Sequence, residues 1–169
     1  MEPRHPTSNE KNSNFITMFP VDLLVIGRLR LEPCRALERH YLDMLRAHAR
    51  MDVIEFPEGK GDGARRLRDE AERLRPRLKS AGLPVLLTPE GRPMDSPAFA
   101  KWLGERVDRG QRPAFAIGSS HGFDPVLKSE IREQLSLSPM TFPHELFRVM
   151  FLEQLYRAFT ILKGSPYHK

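Results

Sequence analysis

The amino-acid sequence predicts an α/β protein with a mostly parallel β-sheet and helices on both of its faces. Short apolar segments alternate five times with longer segments of helical periodicity, which is typical of such sheets. The first apolar segment, VDLLVIG at 21–27, is closed by glycine and resembles a strand that is buried on both faces. With 169 residues, 40% of them hydrophobic, the chain can form one core but not a second domain of ordinary size.

The segment before the first strand has a different composition. Residues 1–17 are polar, rich in Asn, Ser and Pro, and lack periodicity. We therefore predict a disordered N-terminal extension at 1–17, followed by a single domain at 18–169. Alternatively, the extension is an upstream misreading of the start, and the protein begins at Met18.

Four further strands and five helices are predicted after the first strand. The strands are MDVIEF (51–56), PVLLT (84–88), AFAIG (114–118) and a short segment at 136–142. The helices are predicted to begin at Pro33, near Arg65, at Asp95 or Ser96, at Asp124 with Pro125, and at Pro143. The first helix is expected to include His48, the fourth to run to about Gln134, and the fifth to end near Gly164.

Ligands of parallel sheets bind outside the carboxyl ends of the strands. In this sequence the informative ends are at 87–91, 118–123 and 137–142. We therefore expect the functional site at these three turns.

Charge and cysteine content favour some partners and exclude others. The formal net charge of +5 and the sequence pI near 9.7 favour a polyanionic partner such as RNA. The single cysteine, Cys34, excludes an intramolecular disulfide and suits the reducing cytoplasm. No segment has the roughly 18 apolar residues of a membrane-spanning helix. The six histidines lack the spacing of metal ligands, so we predict no metal.

The loop IGSSHGF contains a G-x-S-x-G pattern after a predicted strand, formed by Gly118, Ser120 and Gly122. This pattern is compatible with a serine hydrolase that uses Ser120 as the nucleophile. A nucleophile elbow, however, requires a helix that begins at the serine, and the cap at Asp124 places the helix several residues later. The alternative is that the glycines allow a tight turn.

The arginine-rich helix at 65–77 has two interpretations. It is a solvated surface with charge pairs such as Asp69 with Arg73, or it follows the phosphates of a nucleic acid.

The last helix carries more apolar residues than one narrow stripe requires. They are Leu146, Val149, Met150, Leu152, Leu155, Phe159 and Leu162. One face can cover the sheet while the other contacts a second subunit, which implies a homodimer. A helix that is fully buried inside one subunit explains the same pattern.

Several segments resemble one known family. LSLSPMTFPHELFRVMFLEQLYRAFTILKGSPYHK is similar to the C-terminus of the RlmH family of the SPOUT superfamily, which methylates N3 of a pseudouridine in 23S ribosomal RNA. EGRPMDSPAFA and AFAIGSSHGF follow in the family's order and spacing, and VDLLVIG and FPEGK fit its N-terminal half. The likeness covers residues 21–169. It implies a homodimeric, S-adenosylmethionine-dependent enzyme that acts on ribosomal RNA, either free or in the ribosome, and has a deep C-terminal trefoil knot.

The resemblance also implies site residues. The candidates for binding the methyl donor are Leu87, Gly118, Leu137, Ser138, Pro139, Met140, Thr141 and Phe142. As a hypothesis, Arg148 or Arg157 stabilises the imide anion of the base or a phosphate, and His144 or His168 assists proton removal. In the C-terminal tail, Tyr167, His168 and Arg157 are expected to contact RNA. Alternatively, His144 caps its helix and Arg157 forms an intersubunit ion pair.

One loop departs from the family pattern. Where the family usually has G-G-x-x-G-L, this sequence has Gly118, Ser119, Ser120, His121, Gly122 and Phe123. The missing second glycine restricts the backbone, and His121 changes the local charge. An alternative function is therefore a non-catalytic protein that keeps the fold and binds RNA or the ribosome.

Overall fold

The five strands of this computed structural model, which describes residues 19–168, form one parallel sheet in the order β2-β1-β4-β3-β5. They are β1 (Phe19–Ile26), β2 (Ala49–Phe56), β3 (Leu83–Pro93), β4 (Pro113–Ile117) and β5 (Glu133–Ser136). The predicted extension at 1–17 and the alternative start at Met18 lie outside the described residues.

A helix follows each strand. They are α1 (Glu32–Leu45), α2 (Gly63–Ser80), α3 (Ser96–Asp108), α4 (Pro125–Glu130) and α5 (His144–Leu162). The predicted caps of two helices are confirmed, because Asp95 accepts a hydrogen bond from Ala98 N and Asp124 accepts from Val126 N.

Helices cover both faces of the sheet, which confirms the predicted architecture. On one face, α1, α3 and α5 enclose a core that includes the fully buried Phe115, Phe151 and Phe159. On the other face, α2 and α4 bury Leu74 and Leu127 against the strands. Removal of this apolar surface from water is the main stabilising contribution.

The predicted strand at 136–142 is wrong, and so is the predicted end of the fourth helix at Gln134. The strand lies earlier, at Glu133–Ser136, and α4 already ends at Glu130. The Gln134 side chain explains the early end, since its amide nitrogen donates to Lys128 O at 2.7 Å and to Ile131 O at 3.1 Å. Residues 137–142 are consequently a loop at the carboxyl end of β5.

Two other boundaries differ from the prediction. The first helix ends at Leu45, and His48 lies in the turn before β2. The strand predicted at 84–88 continues to Pro93, because a register shift after Leu87 lets Arg92 and Pro93 pair again with β5.

The arginine-rich helix α2 carries the predicted charge pair, with Arg73 and Asp69 2.7 Å apart. Arg75 lies 2.9 Å from Glu130 of α4 and also pairs with Glu72. Arg65, Arg68 and Arg77 remain exposed. Part of the charge of α2 is therefore already neutralised by neighbouring carboxylates.

Three further features concern only residues 19–168. None of their helices is both long and apolar enough to cross a membrane. They contain no group of three or more His, Cys, Asp or Glu that could hold a metal ion, and the absence of a metal stays a prediction. The trefoil knot that the resemblance implies also stays a prediction.

Candidate functional site

Three strand ends meet at one rim of the sheet and enclose a small pocket. The loops after β3, β4 and β5 all contribute to its wall, because parallel strands end at the same edge. The pocket has a volume of about 130 Å³. Its lining includes five of the predicted donor-binding residues: Leu87, Gly118, Met140, Thr141 and Phe142.

Gly118 lies where two backbone segments come close together. A Cβ atom at this position would lie 2.5 Å from the carbonyl oxygen of Gly122, so a side chain would force the loop to move. Gly122 has a φ of +79°, which L side chains rarely adopt. This tight turn can present main-chain N–H and C=O groups to a ligand.

Ser119 fastens this turn to α2. Its hydroxyl donates a hydrogen bond to Glu70 Oε2 at 2.8 Å. Glu70 is buried, and its other oxygen accepts from Gly59 N at 2.9 Å. One buried carboxylate thus joins the turn after β4 to the loop after β2, by a contact that glycine could not make.

The nucleophile elbow of a serine hydrolase does not form around Ser120. The serine is exposed, and α4 begins only at Pro125. The ring nitrogen Nδ1 of His121, the adjacent residue, lies 3.2 Å from Ser120 Oγ. Asp124, the nearby acid, is occupied with capping α4. The arrangement lacks the strand–serine–helix geometry on which that mechanism depends.

A second acidic group stands near the pocket on the β3 extension. The hydroxyl of Thr88, which lines the pocket, donates to Glu90, and Lys128 Nζ lies 3.2 Å from the same carboxylate. These contacts lower the pKa of Glu90 to about 2, and the hydrogen bond from Thr88 contributes most. Glu90 therefore stays negatively charged at neutral pH.

A larger cavity of about 330 Å³ lies on the α3 and α5 side of β3 and β5, with Leu87 in the walls of both cavities. Its lining combines apolar side chains with the polar or charged side chains of Arg92, Asp95, Ser96, Ser136 and Gln154. Ser136 is buried, and its Oγ has no hydrogen-bond partner within residues 19–168. A buried hydroxyl without a partner is costly, and a ligand that accepts or donates a hydrogen bond there would remove the cost.

The loop at 137–142 contributes to both cavities. Leu137 lines the larger one, and Met140 lines the smaller one although 69% of its surface is exposed. Ser138 and Pro139 lie in neither lining, and Ser138 Oγ accepts from Met140 N at 3.0 Å. The six predicted donor residues at 137–142 are thus neighbours along one loop, but they do not share a single cavity.

His144 lies in the first turn of α5 and lines the smaller pocket. Its Nε2 atom lies 3.4 Å from the point where a Cβ atom on Gly27 would stand. Pro143 holds the N-cap position, and no side-chain hydrogen bond caps the helix there. His144 therefore faces both the pocket and the loop after β1.

Glu145, the next residue, holds the loop after β1 in place. Its Oε2 accepts hydrogen bonds from Leu31 N at 2.8 Å and from Arg30 N at 2.7 Å. The bond from Leu31 is the main reason why the pKa of this carboxyl lies below its usual value.

Arg148, one turn further along α5, is only 3% exposed. Its guanidinium contacts Glu38 of α1 at 2.5 Å and Glu55 of β2 at 2.7 Å. Burial raises the pKa of Glu38, although the charge of Arg148 opposes the increase. The group links three elements and is enclosed by its two acidic partners.

Arg157 lies near the end of α5, in a cluster with the C-terminal tail. Glu153 Oε1 accepts from Arg157 Nη2 at 2.5 Å and from the Tyr167 hydroxyl at 3.2 Å. The guanidinium carbon is 4.9 Å from the centre of the Tyr167 ring, and Nη1 is 3.4 Å from His168 Nδ1. The three residues predicted to contact RNA therefore lie together.

Apart from Arg148, the predicted catalytic residues fall into two separate groups. His144 lies at the pocket, whereas Arg157 and His168 lie at the other end of α5. Thirteen positions separate His144 from Arg157, which corresponds to roughly 20 Å at about 1.5 Å per residue. Within one chain these side chains cannot act on the same base.

A comparison with protein families assigns the chain. The sequence model described as "Predicted SPOUT methyltransferase" matches residues 19–168. The chain belongs to the SPOUT methyltransferase family. This membership makes the protein a methyltransferase, an enzyme that requires a methyl donor.

Three relatives in the family share one name, ribosomal RNA large subunit methyltransferase H. The protein of Gemmatimonas aurantiaca is 43% identical over 152 residues, covering 88% of this chain and 99% of the relative. Those of Rhizobium meliloti and Gloeobacter violaceus are both 40% identical, and each alignment covers 88% of this chain. The alignments cover 98% of the Rhizobium protein and 97% of the Gloeobacter protein. The predicted resemblance to the RlmH family is thereby confirmed.

A solved structure has the same overall fold. The crystal structure of a methylase family protein from Neisseria gonorrhoeae aligns with a TM-score of 0.53, covering 92% of this chain and 86% of the other. The two sequences are 8% identical, so the likeness concerns the fold alone.

The sequence prediction missed three residues around the site: Glu70, Glu145 and Ser136. Glu70 had a detectable signal, because it lies between Leu67 and Ala71 on the apolar stripe of α2, where a carboxylate is out of place. Glu145 and Ser136 had no such signal, since their importance depends on neighbours that the sequence does not reveal.

Proposed function

We propose that this enzyme transfers a methyl group from S-adenosylmethionine to N3 of a pseudouridine in large-subunit ribosomal RNA. The name shared by its relatives supports the RNA substrate. The observation that carries the proposal is the meeting of three strand ends around Leu87, Gly118 and the 137–142 loop. A ribosomal substrate would also place the enzyme in the cytoplasm, as the cysteine content predicts.

The residues present fit the proposed donor. Ligand pockets commonly have volumes of about 300–1,000 Å³, and the smaller pocket alone is below that range. Its neighbour, which shares Leu87 and holds the unpartnered Ser136 hydroxyl, is large enough for a nucleoside. The loop at 137–142 lines both cavities, so it could hold a donor that extends from one to the other. Leu87, Gly118 and the six residues at 137–142 remain the proposed donor-binding residues.

The reaction forms a bond from N3 to the methyl carbon, breaks the carbon–sulfur bond of the donor, and releases the N3 proton. His144, which lines the pocket, is the proposed proton acceptor, with His168 as the second candidate. Arg157 is better placed than Arg148 to stabilise the base anion, because two carboxylates already enclose Arg148. For Arg148 we propose a positioning role at the start of α5.

We further propose that the active site is shared between two copies of the chain in a homodimer. The roughly 20 Å between the ends of α5 separates His144 from Arg157, Tyr167 and His168. A two-fold arrangement in which one copy supplies the pocket and the other supplies the tail brings both groups to one base. The exposure of Met140 and Leu146, at 69% and 41%, is consistent with such a contact.

Nucleoside mass analysis of large-subunit RNA, from cells with and without the gene, tests the proposed substrate. We expect one methylated pseudouridine to disappear without the gene and to return with the wild-type gene. An unchanged nucleoside profile would refute the assignment.

Calorimetry with S-adenosylmethionine tests the donor independently. Binding at micromolar concentration supports an active enzyme, whereas no heat at any accessible concentration supports a non-catalytic RNA-binding protein. Tyr167→Ala combined with His168→Ala should leave this binding unchanged while methylation of RNA falls.

A further inference from the structure

An open groove lies beside the candidate pocket, at the carboxyl ends of β1 and β2. It has a volume of about 580 Å³ and is lined by Gly27, Arg28, Leu29, Arg30, Arg35, Pro57 and Glu58. None of the predicted site residues belongs to this lining. The proposed sites for the donor and the base therefore do not account for this groove.

The groove has cationic side chains that are free to bind a ligand. Arg28 and Arg30 are exposed, and their guanidinium groups form no ion pair or hydrogen bond within residues 19–168. Arg35, by contrast, is neutralised by Glu32 at 2.8 Å. Arg73 and Arg148 also have acidic partners.

The backbone that carries these two arginines is firmly held. Gly27 N donates to Phe56 O at 2.8 Å, and Gly27 has a φ of +93°, which turns the chain sharply after β1. On the far side of the turn, Glu145 binds Arg30 N and Leu31 N. Anchoring of the backbone at both ends fixes the points from which the two arginine side chains extend, so that binding does not have to order the loop, which lowers its entropic cost.

The groove adjoins the candidate pocket through His144. This side chain lines the pocket, and its Nε2 atom lies 3.4 Å from the position of a Cβ atom on Gly27, at the end of the groove. A polyanion in the groove would therefore continue directly into the pocket. Glu58, whose Oε1 lies 3.5 Å from the same position, would repel phosphate at that end and leave Arg28 and Arg30 as the anion contacts.

We propose that this groove binds the phosphate backbone of the RNA on one side of the target nucleotide, with Arg28 and Arg30 each contacting a phosphate. Arginine presents several N–H donors in a planar fork that matches phosphate oxygens. Such contacts position the RNA without reading its sequence. The inference rests on the proposed function, because it requires an RNA substrate at the adjoining pocket.

The test compares two double variants. The first combines Arg28→Gln with Arg30→Gln, and the matched control combines Arg109→Gln with Arg132→Gln. Arg109 follows α3 and Arg132 precedes β5, so both lie at the amino ends of strands, opposite the groove, and both are exposed and form no ion pair within residues 19–168. Both double variants remove the same charge. The probe is large-subunit ribosomal RNA purified from cells that lack the gene, titrated at several salt concentrations.

We expect the groove variant to lose two phosphate contacts. The dependence of log affinity on log salt should become less steep by about 1.4, because each contact to a single strand contributes about 0.7. Affinity at low salt should fall on the order of ten-fold. The binding of S-adenosylmethionine should stay unchanged, and the control should keep nearly the wild-type slope.

Two results would overturn the inference: a groove variant with the wild-type slope and affinity, or equal losses in the groove variant and the control. Equal losses would mean that only the overall charge attracts RNA. A separate assay of the wild-type protein tests the proposed function. If this protein transfers no methyl group to the same RNA, the proposed function is wrong.

Discussion

The two halves of α5 place the same residue type in opposite situations. Arg148 is 3% exposed and contacts carboxylates from two other elements. Arg157 pairs with Glu153 on its own helix and lies under the ring of Tyr167, near the end of the chain. A buried cation is tolerated only with such fixed partners, whereas a partly exposed one can exchange its partner for a substrate. Arg148 thus stabilises the fold, whereas Arg157 is available for chemistry.

Among the variants that test this comparison, Arg148→Ala should have the largest effect, which is a loss of stability. Removing the guanidinium leaves the partly buried Glu38 without its counter-charge, whereas Glu55, with 35% of its side chain exposed, can be solvated. The cost should therefore be about 3 kcal/mol, the lower end of the range for a broken buried pair. Chemical denaturation followed by circular dichroism measures the loss. A variant that keeps wild-type stability but loses activity would show that Arg148 serves chemistry instead.

Arg157→Ala should show the reverse pattern. The ion pair with Glu153 is partly exposed, so its loss should change the free energy of unfolding by about 1 kcal/mol or less. If Arg157 stabilises the base anion, kcat for methyl transfer should fall by roughly 10²–10³. Steady-state kinetics with ribosomal RNA measures this, and a wild-type kcat would remove Arg157 from the proposed active site.

The loss of stability in Arg148→Ala should depend on pH. In the wild-type protein, burial raises the pKa of Glu38. The contribution of this carboxyl to stability is therefore fully present below about pH 4.5 and is lost as pH rises through the raised pKa. Without the opposing charge of Arg148 the pKa rises further, at about 1.4 kcal/mol per unit. The difference in unfolding free energy between wild type and variant should therefore shrink from pH 7 to pH 4.5. A constant difference would contradict the buried-pair account.

Ser119→Ala is expected to have the smallest effect. It removes the hydrogen bond from the turn after β4 to Glu70 and leaves the fold otherwise intact. A bond to a buried carboxylate is worth about 1.5–3 kcal/mol, part of which would appear as weaker donor binding, by roughly ten-fold. Calorimetry measures the affinity, and Ser129→Ala, on the exposed surface of α4, is the control. Unchanged affinity would mean that Ser119 does not position the donor loop.

Much of this fold could be predicted from local signals. The buried strands were recognisable as apolar runs, and Asp95 and Asp124 marked helix starts because capping depends on neighbours two or three residues away. The start of β5 was misplaced because Gln134 ends α4 through its side chain, a contact that propensity does not reveal.

The site was harder to predict than the fold. Arg148 looked like a catalytic cation because its partners, Glu38 and Glu55, lie 110 and 93 positions away in the sequence. Only the tertiary structure shows that they converge. Likewise, no local pattern indicated the register shift in β3 after Leu87, the residue that lines both cavities.

Co-expression of two inactive variants with different affinity tags tests the shared active site most directly. One partner is Gly118→Val, which blocks the pocket because a Cβ atom there meets Gly122 O at 2.5 Å, and the other is Arg157→Ala. In a mixed dimer, one site carries both lesions and the other carries none. We predict that purified mixed dimers regain about half of the wild-type activity. Folded mixed dimers without activity would contradict the account.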